Sequence, residues 1–308
     1  MQGWFKVILF WGVLLSGVLP GSGADLLTVC TYNVENYLDA PVSGRKVKPD
    51  EERAAIRANL LAIEADVVAF QEMGRESALL ELRSSLAKEG LEYPYWVHTK
   101  GWDTNIFLAV LSRYPIVREH RHENLSYLVG GRRLHMSRGL CDLEIEVEGR
   151  YRFTLLNCHL KSRRPIGIAD EADMRLEEAR IVRKIVEDRL ARSGQENLMV
   201  LGDFNDLKSA RPVREVKGSG KGGLIDLRPA ERNGDSIPAS NPRYDPPHVT
   251  WTYFYGRDDS YQRIDYIMVS KEMAREINPS GCYVYAVANW ALASDHRPVV
   301  AQFHIGDR

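Results

Sequence analysis

The sequence contains few cysteines, four among 308 residues, and none of them forms a CxxC pair. Their spacing matches no common zinc-binding pattern. Disulfides are permitted in an exported protein, but each cysteine lies in a strand-like run, which favours buried free thiols over bridges. The four are Cys30, Cys141, Cys158 and Cys282.

The sequence also lacks an excess of either charge, because its formal net charge is −1. Proteins that coat nucleic acid usually carry a large positive excess. Packaging and architectural roles are therefore disfavoured, whereas an enzyme that contacts a phosphodiester briefly needs only a local positive cleft.

Long apolar runs are absent except near the N-terminus, at residues 7–19. Lys6 precedes this run, and small residues follow it at Ser22-Gly23-Ala24. This pattern predicts a secretory signal peptide over residues 1–24, and the run is short for a membrane span. We expect a secreted or periplasmic protein without stable membrane insertion after cleavage; an uncleaved anchor is the alternative.

No internal repeat, low-complexity tract or linker is evident, so we predict one domain over residues 25–308 and expect a monomer. Apolar periodicity predicts helices at 50–64, 76–89 and 169–191, and it indicates that 211–247 is mostly loop. It predicts strands at 26–34, 66–71, 106–111, 140–147, 151–160, 198–201, 250–255, 264–269, 282–287 and 299–304. Hairpins interleaved with helices indicate an α/β layered domain.

Polar residues cluster where these apolar strands end. Unpaired charges are costly near a core, so such residues need partners or a metal ion. Carboxylate and amide oxygens suit a hard cation, Mg²⁺ first, with Mn²⁺ or Ca²⁺ as alternatives. The set comprises Asn33, Glu35, Glu72, His159, Lys161, Asp203, Asn205, Asp265, Asp295 and His296.

The order of these motifs resembles the endonuclease/exonuclease/phosphatase superfamily, in a secreted bacterial-type form. The motifs are Asn33, Glu72, His159, Gly-Asp-Phe-Asn at 202–205, Asp265 and Ser-Asp-His at 294–296. Each motif alone is weak, but their shared order, from about Thr28 to the C-terminus, is specific. The superfamily includes deoxyribonucleases, abasic-site endonucleases, neutral sphingomyelinases and inositol polyphosphate 5-phosphatases. The resemblance implies a four-layer α/β/β/α sandwich with two mixed sheets face to face.

The resemblance also implies a metal site formed by Asn33, Glu72 and Asp295. It implies that His296 is the general base that activates water and that Asp265 holds its imidazole.

A second group of residues would contact the phosphate. His159 resembles a second catalytic histidine that binds the scissile phosphate or protonates the leaving group. Asn205 would hydrogen-bond the phosphate, and Asp203 would orient the water or assist the leaving group. Arg138 and Lys161 are candidate phosphate contacts, because guanidinium and ammonium groups match phosphate oxygens.

Structural alternatives exist for most of these residues. Glu72 would cap a helix, Asn33 would sit in a turn, and the two histidines would be structural. Asp265 would pair with Arg263 or Arg297, and Arg138 and Lys161 would be solvated surface charges. In the aromatic run at 251–255, strand spacing favours core packing over base stacking, although Trp251 is a candidate to line the cleft.

The motifs define the reaction type better than the substrate. The Arg-Ile-Asp-Tyr-Ile stretch departs from the Pro-Ala-Trp-Cys-Asp-Arg of 5-phosphatases, and basic residues around the motifs favour an anionic polymer. The leading hypothesis is a nuclease acting on DNA or RNA. A phosphatase or sphingomyelinase-type esterase on a small or lipid phosphoester is the alternative, and a non-catalytic binding module is the third.

Overall fold

The computed structural model describes residues 26–193, 196–231 and 250–306. The predicted signal peptide lies outside the described residues. In chain order the strands are Leu26–Tyr37 (β1), Val67–Met73 (β2), Tyr95–Thr99 (β3), Phe107–Ser112 (β4), Ile116–His122 (β5), Ser126–Val129 (β6), Arg132–His135 (β7), Leu140–Val147 (β8), Tyr151–His159 (β9), Leu198–Asp203 (β10), Ile225–Asp226 (β11), Ala230–Glu231 (β12), Tyr253–Tyr255 (β13), Ser260–Gln262 (β14), Asp265–Val269 (β15), Tyr283–Val284 (β16) and Val299–His304 (β17). The α-helices are Asp50–Ile63 (α1), Glu76–Lys88 (α2), Glu171–Ser193 (α3), Arg211–Lys217 (α4) and Lys271–Ala274 (α5).

Two large mixed sheets form the centre of the fold. The first has seven strands in the order β12-β16-β17-β1-β2-β4-β3, and the second has six in the order β11-β15-β10-β9-β8-β5. Two small hairpins, β6-β7 and β13-β14, lie outside them.

Three apolar layers hold these sheets and the helices together, because successive strand side chains point to opposite faces. In β1, Leu27 and Val29 face the layer between the sheets, whereas Tyr32 belongs to the layer under α1 and α2. In β9, Leu155 faces the layer between the sheets and Leu156 the layer under α3 and α4. Three cores separate four layers, which confirms the predicted α/β/β/α sandwich.

The expectation that residues 211–247 are mostly loop is wrong at its start. Helix α4 begins with Pro212 in its first turn, where the missing N–H is harmless. Val213 and Val216, three residues apart, are buried against the core under α3. Residues 232–249 lie outside the described residues.

Several strand boundaries differ from the sequence-based prediction. The strands β3 and β5 and the hairpin β6-β7 were not predicted, because they are short or rich in polar residues; β5 is an edge strand with mostly exposed side chains. The predicted strands at 250–255 and 282–287 shorten to β13 and β16. Short edge strands lack the clear two-residue periodicity that identifies buried ones.

All four cysteines are free thiols, and Cys30, Cys141 and Cys158 are buried. This confirms the expectation of free thiols rather than bridges. None of the helices that the structure describes is long and apolar enough to cross a membrane.

A buried polar bridge joins the two sheets beneath the site. Gln71 of β2 donates from Nε2 to Oδ1 of Asn157 in β9 at 2.8 Å. Asn157 in turn donates from Nδ2 to the carbonyl oxygens of Phe70 and Ala109, at 3.0 and 3.2 Å. Both side chains are fully buried, so these hydrogen bonds satisfy groups that are costly to leave unpaired. The bridge therefore fixes β2 against β9.

Candidate active site

The ends of two parallel strand pairs bring site residues to one edge of the sandwich. In the first sheet β1 runs parallel to β2, with Asn33 opposite Gln71, the residue before Glu72. In the second sheet β9 runs parallel to β10, with His159 opposite Asp203. Because carboxyl ends of parallel strands meet at the same edge, these residues are grouped by topology.

The remaining site residues lie at or just before the first residue of a strand that runs antiparallel to its neighbour. The first residue of β15, Asp265, lies opposite Asp203 at the end of β10. His296 comes three residues before β17, which is antiparallel to β1, and it also bridges to Tyr253. The start of an antiparallel strand meets the end of its partner, so Asp265 and His296 arrive at the same edge.

Unusual backbone conformations aim several of these side chains. Glu72 and Asn205 adopt left-handed conformations, with φ values of 60° and 53°. Asn36 is also left-handed, and its backbone N–H donates to Oε2 of Glu72 at 3.1 Å. Such conformations in non-glycine residues are uncommon and concentrate at functional sites.

Gly202, the residue before Asp203, allows a close approach between β10 and β9. Its φ is +131°, and a Cβ atom there would lie 1.9 Å from the carbonyl oxygen of Cys158. Only glycine fits both the angle and the space, so Gly202 sets the position of Asp203 beside His159.

A buried hydrogen-bond chain orients His296. Its Nδ1 lies 2.9 Å from Oδ2 of Asp265, and the same oxygen accepts from the hydroxyl of Thr252 at 2.6 Å. The Thr252 hydroxyl also accepts from the backbone N–H groups of Ile264 and Asp265, at 3.2 and 3.1 Å. Since the carboxylate can only accept, Nδ1 of His296 carries the proton in this pair.

The charges around His296 affect its protonation and that of Asp203. Burial alone would lower the pKa of His296, but the negative charge and hydrogen bond of Asp265 raise it well above its usual value. Burial, reinforced by the charge of Asp265, raises the pKa of Asp203 to about 7. The site therefore holds a proton among closely spaced groups near neutral pH.

Asp203 lies between the two imidazoles. Its Oδ2 is 3.3 Å from Nε2 of His159 and 3.8 Å from Nε2 of His296. Asn33 donates to the same oxygen from Nδ2 at 3.1 Å, and this contact spans the two sheets. Asp203 thus connects both predicted catalytic histidines with the predicted metal side of the site.

His159 is buried, and its Nδ1 has no hydrogen-bond partner among the described residues. Burial lowers the pKa of His159 well below its usual value, and the nearby cations Arg138 and Arg45 act in the same direction. His159 is therefore neutral, with Nε2 directed at Asp203 and one buried nitrogen unpaired.

Three carboxylates, those of Glu35, Glu72 and Asp295, interact electrostatically beside His296. Oδ1 of Asp295 lies 3.9 Å from Nε2 of His296, and the backbone N–H of Asp295 donates to Oε2 of Glu35 at 3.1 Å. Burial raises the pKa of Asp295 to about 7, and the negative charges of Glu35 and Glu72 contribute to this rise. Lys48 is the nearest cation shown, 3.4 Å from Glu35. This corner has more carboxylates than counter-charges.

Such a donor set fits a divalent cation. Glu72, Asp295 and the Asn33 amide present the oxygen ligands that Mg²⁺ prefers, and their mutual repulsion would be relieved by positive charge. A different set, Asp203, Asp265 and His296, has ligand atoms that lie within 4.8 Å of one another. There, however, Nδ1 of His296 is already hydrogen-bonded to Asp265, so this trio is organised as a proton network.

The three predicted phosphate contacts are engaged with the protein to different degrees. Lys161 donates from Nζ to the backbone oxygens of Ser162 and Arg164, at 2.8 and 3.0 Å. Asn205 donates from Nδ2 to the carbonyl oxygen of Leu160 at 2.9 Å and to Asp203 at 3.2 Å. Among the described residues, Arg138 has an ion-pair contact with Asp103, with Nε 3.9 Å from Oδ2, and its charge also acts on the buried carboxyl of Glu178. Arg138 is therefore the least occupied of the three.

Three structural alternatives from the sequence are wrong. Arg138 and Lys161 are not solvated surface charges, since they are 7% and 4% exposed. Asp265 does not pair with Arg263, which instead contacts Asp226 through two hydrogen bonds of 3.0 and 2.6 Å.

The aromatic run at 251–255 does not pack in the core as expected. Trp251, Tyr253 and Phe254 are only partly buried, and Tyr255 is exposed. Tyr253 packs against the His296 ring with centroids 4.7 Å apart. The run borders the site because Tyr253 pairs with His296 through the backbone.

Three residues at the site were not singled out from the sequence. Thr252 supports Asp265, and Ser294 donates from Oγ to the carbonyl oxygen of Asn33 at 2.8 Å while accepting from the N–H of His296 at 3.0 Å. Arg45 lies among the cations near His159. Only Ser294 had a signal, as the first residue of the Ser-Asp-His motif.

The layered sheets, with a polar site along one edge, define the class of deoxyribonuclease-like sandwiches. The sequence profile of the Endonuclease/Exonuclease/phosphatase family matches residues 30–296, and the chain belongs to this family, whose members are generally phosphoester hydrolases. No curated protein sequence matches the chain.

Solved structures show the same fold at low sequence identity. An endonuclease/exonuclease/phosphatase from Bacteroides vulgatus is 15% identical, with 91% of this chain and 99% of that chain covered and a TM-score of 0.63. Sphingomyelinase C from Streptomyces griseocarneus is 18% identical, with coverages of 91% and 100% and a TM-score of 0.58. Staphylococcus aureus beta toxin with bound magnesium ions is 20% identical, with coverages of 90% and 99% and a TM-score of 0.58.

Proposed function

We propose that the protein is a secreted, divalent-metal-dependent phosphodiesterase that hydrolyses the backbone of DNA or RNA by attack of water. The observation that carries this proposal is that the Asp265–His296 pair lies directly beside the acidic corner, with Nε2 of His296 3.8 Å from Oδ2 of Asp203 and 3.9 Å from Oδ1 of Asp295. A base beside an acidic cation site is what metal-assisted phosphoester hydrolysis requires.

His296 acts as the general base in this proposal. Because Nδ1 donates to Asp265, Nε2 is the nitrogen that would accept a proton from water. The charges of Asp265, Asp295 and Asp203 raise the pKa of His296, so it would act as a base at alkaline pH or when a bound cation offsets those charges. The developing imidazolium is stabilised by Asp265, whose position Thr252 fixes. His159 is neutral and buried, so one of its ring nitrogens carries a proton and would donate a hydrogen bond to the phosphate.

Glu72, Asp295 and Asn33 would hold the cation, with Mg²⁺ as the first choice and Mn²⁺ or Ca²⁺ as alternatives. When bound, the ion would neutralise charge on the phosphoryl oxygens and the leaving oxygen. The Staphylococcus aureus beta toxin, which has the same fold, binds magnesium ions, and this supports the choice of cation.

Nucleic acid is favoured as the substrate because cations gather around His159. Arg138, Arg45 and Lys161 all act electrostatically on His159. A phosphodiester would therefore meet positive charge on one side and the bound cation on the other.

Activity with and without divalent ions tests the proposal. The mature protein, residues 25–308, should degrade plasmid DNA or RNA with Mg²⁺ or Mn²⁺, and EDTA should abolish this activity. Turnover of phosphomonoesters or sphingomyelin with inert nucleic acid would instead indicate the phosphatase or lipid-esterase alternative. No metal-dependent turnover of any phosphoester would indicate a non-catalytic binding module.

Two variants separate the roles of base and metal ligand. His296→Asn should lower kcat by about a hundred- to ten-thousandfold, as expected for loss of a general base. Glu72→Gln should lower activity and also abolish the rise in melting temperature that Mg²⁺ produces by mass action. The exposed Glu92 provides the matched control, because Glu92→Gln should retain both activity and the Mg²⁺ response.

A further inference from the structure

The loop at residues 101–105 lies beside the site and joins two arginines from distant segments. Gly101 packs so tightly on the bend between β7 and β8 that a Cβ atom would lie 2.4 Å from the backbone of Arg138. The N–H of Asp103 donates to the carbonyl oxygen of Ser137 at 2.6 Å. The loop is therefore fixed against the segment that carries Arg138.

The same loop contacts the turn that carries Arg45. Oγ of Ser43 donates to Oδ1 of Asn105 at 3.2 Å, and the Asn105 N–H donates to Oδ1 of Asp103 at 2.8 Å. Val42 and Arg45 close this turn through two backbone hydrogen bonds of 3.1 and 2.9 Å. Arg45 and Arg138 thus approach one loop from two sides.

Both guanidinium groups lack adequate partners among the described residues. Nη1 of Arg45 and Nε of Arg138 are buried without a hydrogen bond. Asp103 is the nearest acid to Arg138, at 3.9 Å, which is beyond hydrogen-bond distance. The buried carboxyl of Glu178 also feels the charges of Arg138 and Lys161, so Asp103 and Glu178 are two carboxylates among the three cations Arg45, Arg138 and Lys161, which leaves a positive excess. Because buried charge without a partner is costly, this arrangement is suited to an incoming anion.

An aromatic surface lies on the same loop. Trp102 is 62% exposed, and it stacks on His135 with ring centroids 3.9 Å apart and an interplanar angle of 8°. Stacking fixes the indole while its other face stays open to solvent. An open, immobilised aromatic face next to cations matches the two parts of a nucleotide, a base and a phosphate.

We propose that Arg45 and Arg138 form a phosphate subsite for the nucleotide next to the scissile bond, and that Trp102 stacks on its base. The inference rests on the proposed function, which it deepens by naming how the polymer is held. His159, whose Nδ1 is buried and unpaired, borders this subsite on its catalytic side.

Binding without turnover tests the subsite separately from the activity. The probes are fluorescein-labelled single-stranded DNA and RNA octamers, titrated with the full mature protein in EDTA across a series of salt concentrations. Anisotropy gives Kd and the slope of log Kd against log salt. This binding measurement does not depend on catalysis, so it can refute the subsite without refuting the proposed function, and an inactive protein can still show the subsite.

Loss of the arginine and loss of the tryptophan should change the binding of the octamers in different ways. Arg45→Ala should weaken binding about ten- to hundredfold and reduce the salt slope by about 0.7, the value for one phosphate contact on a single strand. Trp102→Ala should weaken binding about fivefold or more without changing the salt slope. Asp103→Asn should tighten binding, because it removes the competing carboxylate while keeping an acceptor for Asn105.

Arg152 provides the matched control, since it is exposed and lies at the opposite end of the strand that ends in His159. Arg152→Ala removes the same charge and should leave Kd and slope at wild-type values. The proposal is overturned if wild-type protein binds neither octamer, or if Arg45→Ala and Arg152→Ala have equal slopes. Equal affinity of Trp102→Ala and wild-type protein would overturn the stacking half.

Discussion

The buried bridge between Gln71 and Asn157 should stabilise the fold and hold the two halves of the site together. Asn157→Leu keeps the approximate volume but removes every hydrogen bond of the amide. It leaves the carbonyl oxygens of Phe70 and Ala109 without this donor. Gln71 retains a hydrogen bond to Thr31 at 3.0 Å, so the stability lost at Gln71 is smaller.

The expected cost follows from these contacts. Two buried carbonyls that lose a donor cost about 1–3 kcal/mol each, and added apolar burial of the leucine offsets about 1 kcal/mol. Asn157→Leu should therefore lower the free energy of unfolding by about 1–5 kcal/mol. Urea unfolding, followed by circular dichroism and tryptophan fluorescence, measures this change.

A double-mutant cycle with Gln71→Leu isolates the bridge itself. The double variant should be less destabilised than the sum of the single variants by about 1 kcal/mol, because neither amide is then left facing an apolar partner. Asn289→Leu, at an exposed position, should change stability by less than about 0.5 kcal/mol. A loss below that value for Asn157→Leu, or strict additivity in the cycle, would refute this account of the bridge.

Three further substitutions test the site and its surroundings. Asp265→Asn should lower kcat about a hundredfold or more with little change in KM, because His296 loses the charge that orients and stabilises its imidazolium; steady-state kinetics measure this. Gly202→Ala should lower the free energy of unfolding by about 2 kcal/mol or more and also lower kcat, since its Cβ would clash with β9. Burial lowers the pKa of His98 in the folded protein, so His98 is protonated more readily in the unfolded chain than in the folded one. The free energy of unfolding therefore falls as the pH drops below about 6.5. His98→Gln should weaken this loss in urea titrations between pH 5 and 7.

Matched controls separate these effects from general damage. Asp259→Asn and His304→Gln alter exposed residues of the same type. Gly220→Ala also places an alanine at a positive φ, here +64°, but without a clash, because its Cβ would meet open space. An unchanged kcat in Asp265→Asn would contradict the role given to Asp265. The clash argument would be wrong if Gly202→Ala were no less stable than Gly220→Ala. Identical pH profiles of stability for His98→Gln and His304→Gln would contradict the argument about His98.

The sequence predicted the buried elements and the members of the site because these depend on local patterns. Strands β1, β2, β8 and β10 alternate or run apolar, and polar residues stand at their ends. That pattern is visible in one segment at a time. Short edge strands such as β3 and β5, and the helix α4 inside a Gly- and Pro-rich stretch, depend on neighbours that a single segment does not reveal.

Hydrogen-bond partners across the fold were not predictable for the same reason. Asn157 meets Gln71 across 86 residues of sequence, and Ser294 meets Asn33 across 261. Thr252 has no motif that marks it as the support of Asp265. Arg45 could not be identified from the sequence, because the feature that marks it is a buried Nη1 without a hydrogen bond, which is a property of the packed structure.

The position of Asp203 shows why packing between the sheets bears on chemistry. Its carboxylate accepts from Asn33 in the first sheet and from Asn205 in the second, at 3.1 and 3.2 Å. No single strand therefore contains the site; its geometry exists only where the two sheets face each other. Since closely packed interiors transmit small displacements, a change in the layer between the sheets alters the distance between the acidic corner and His296.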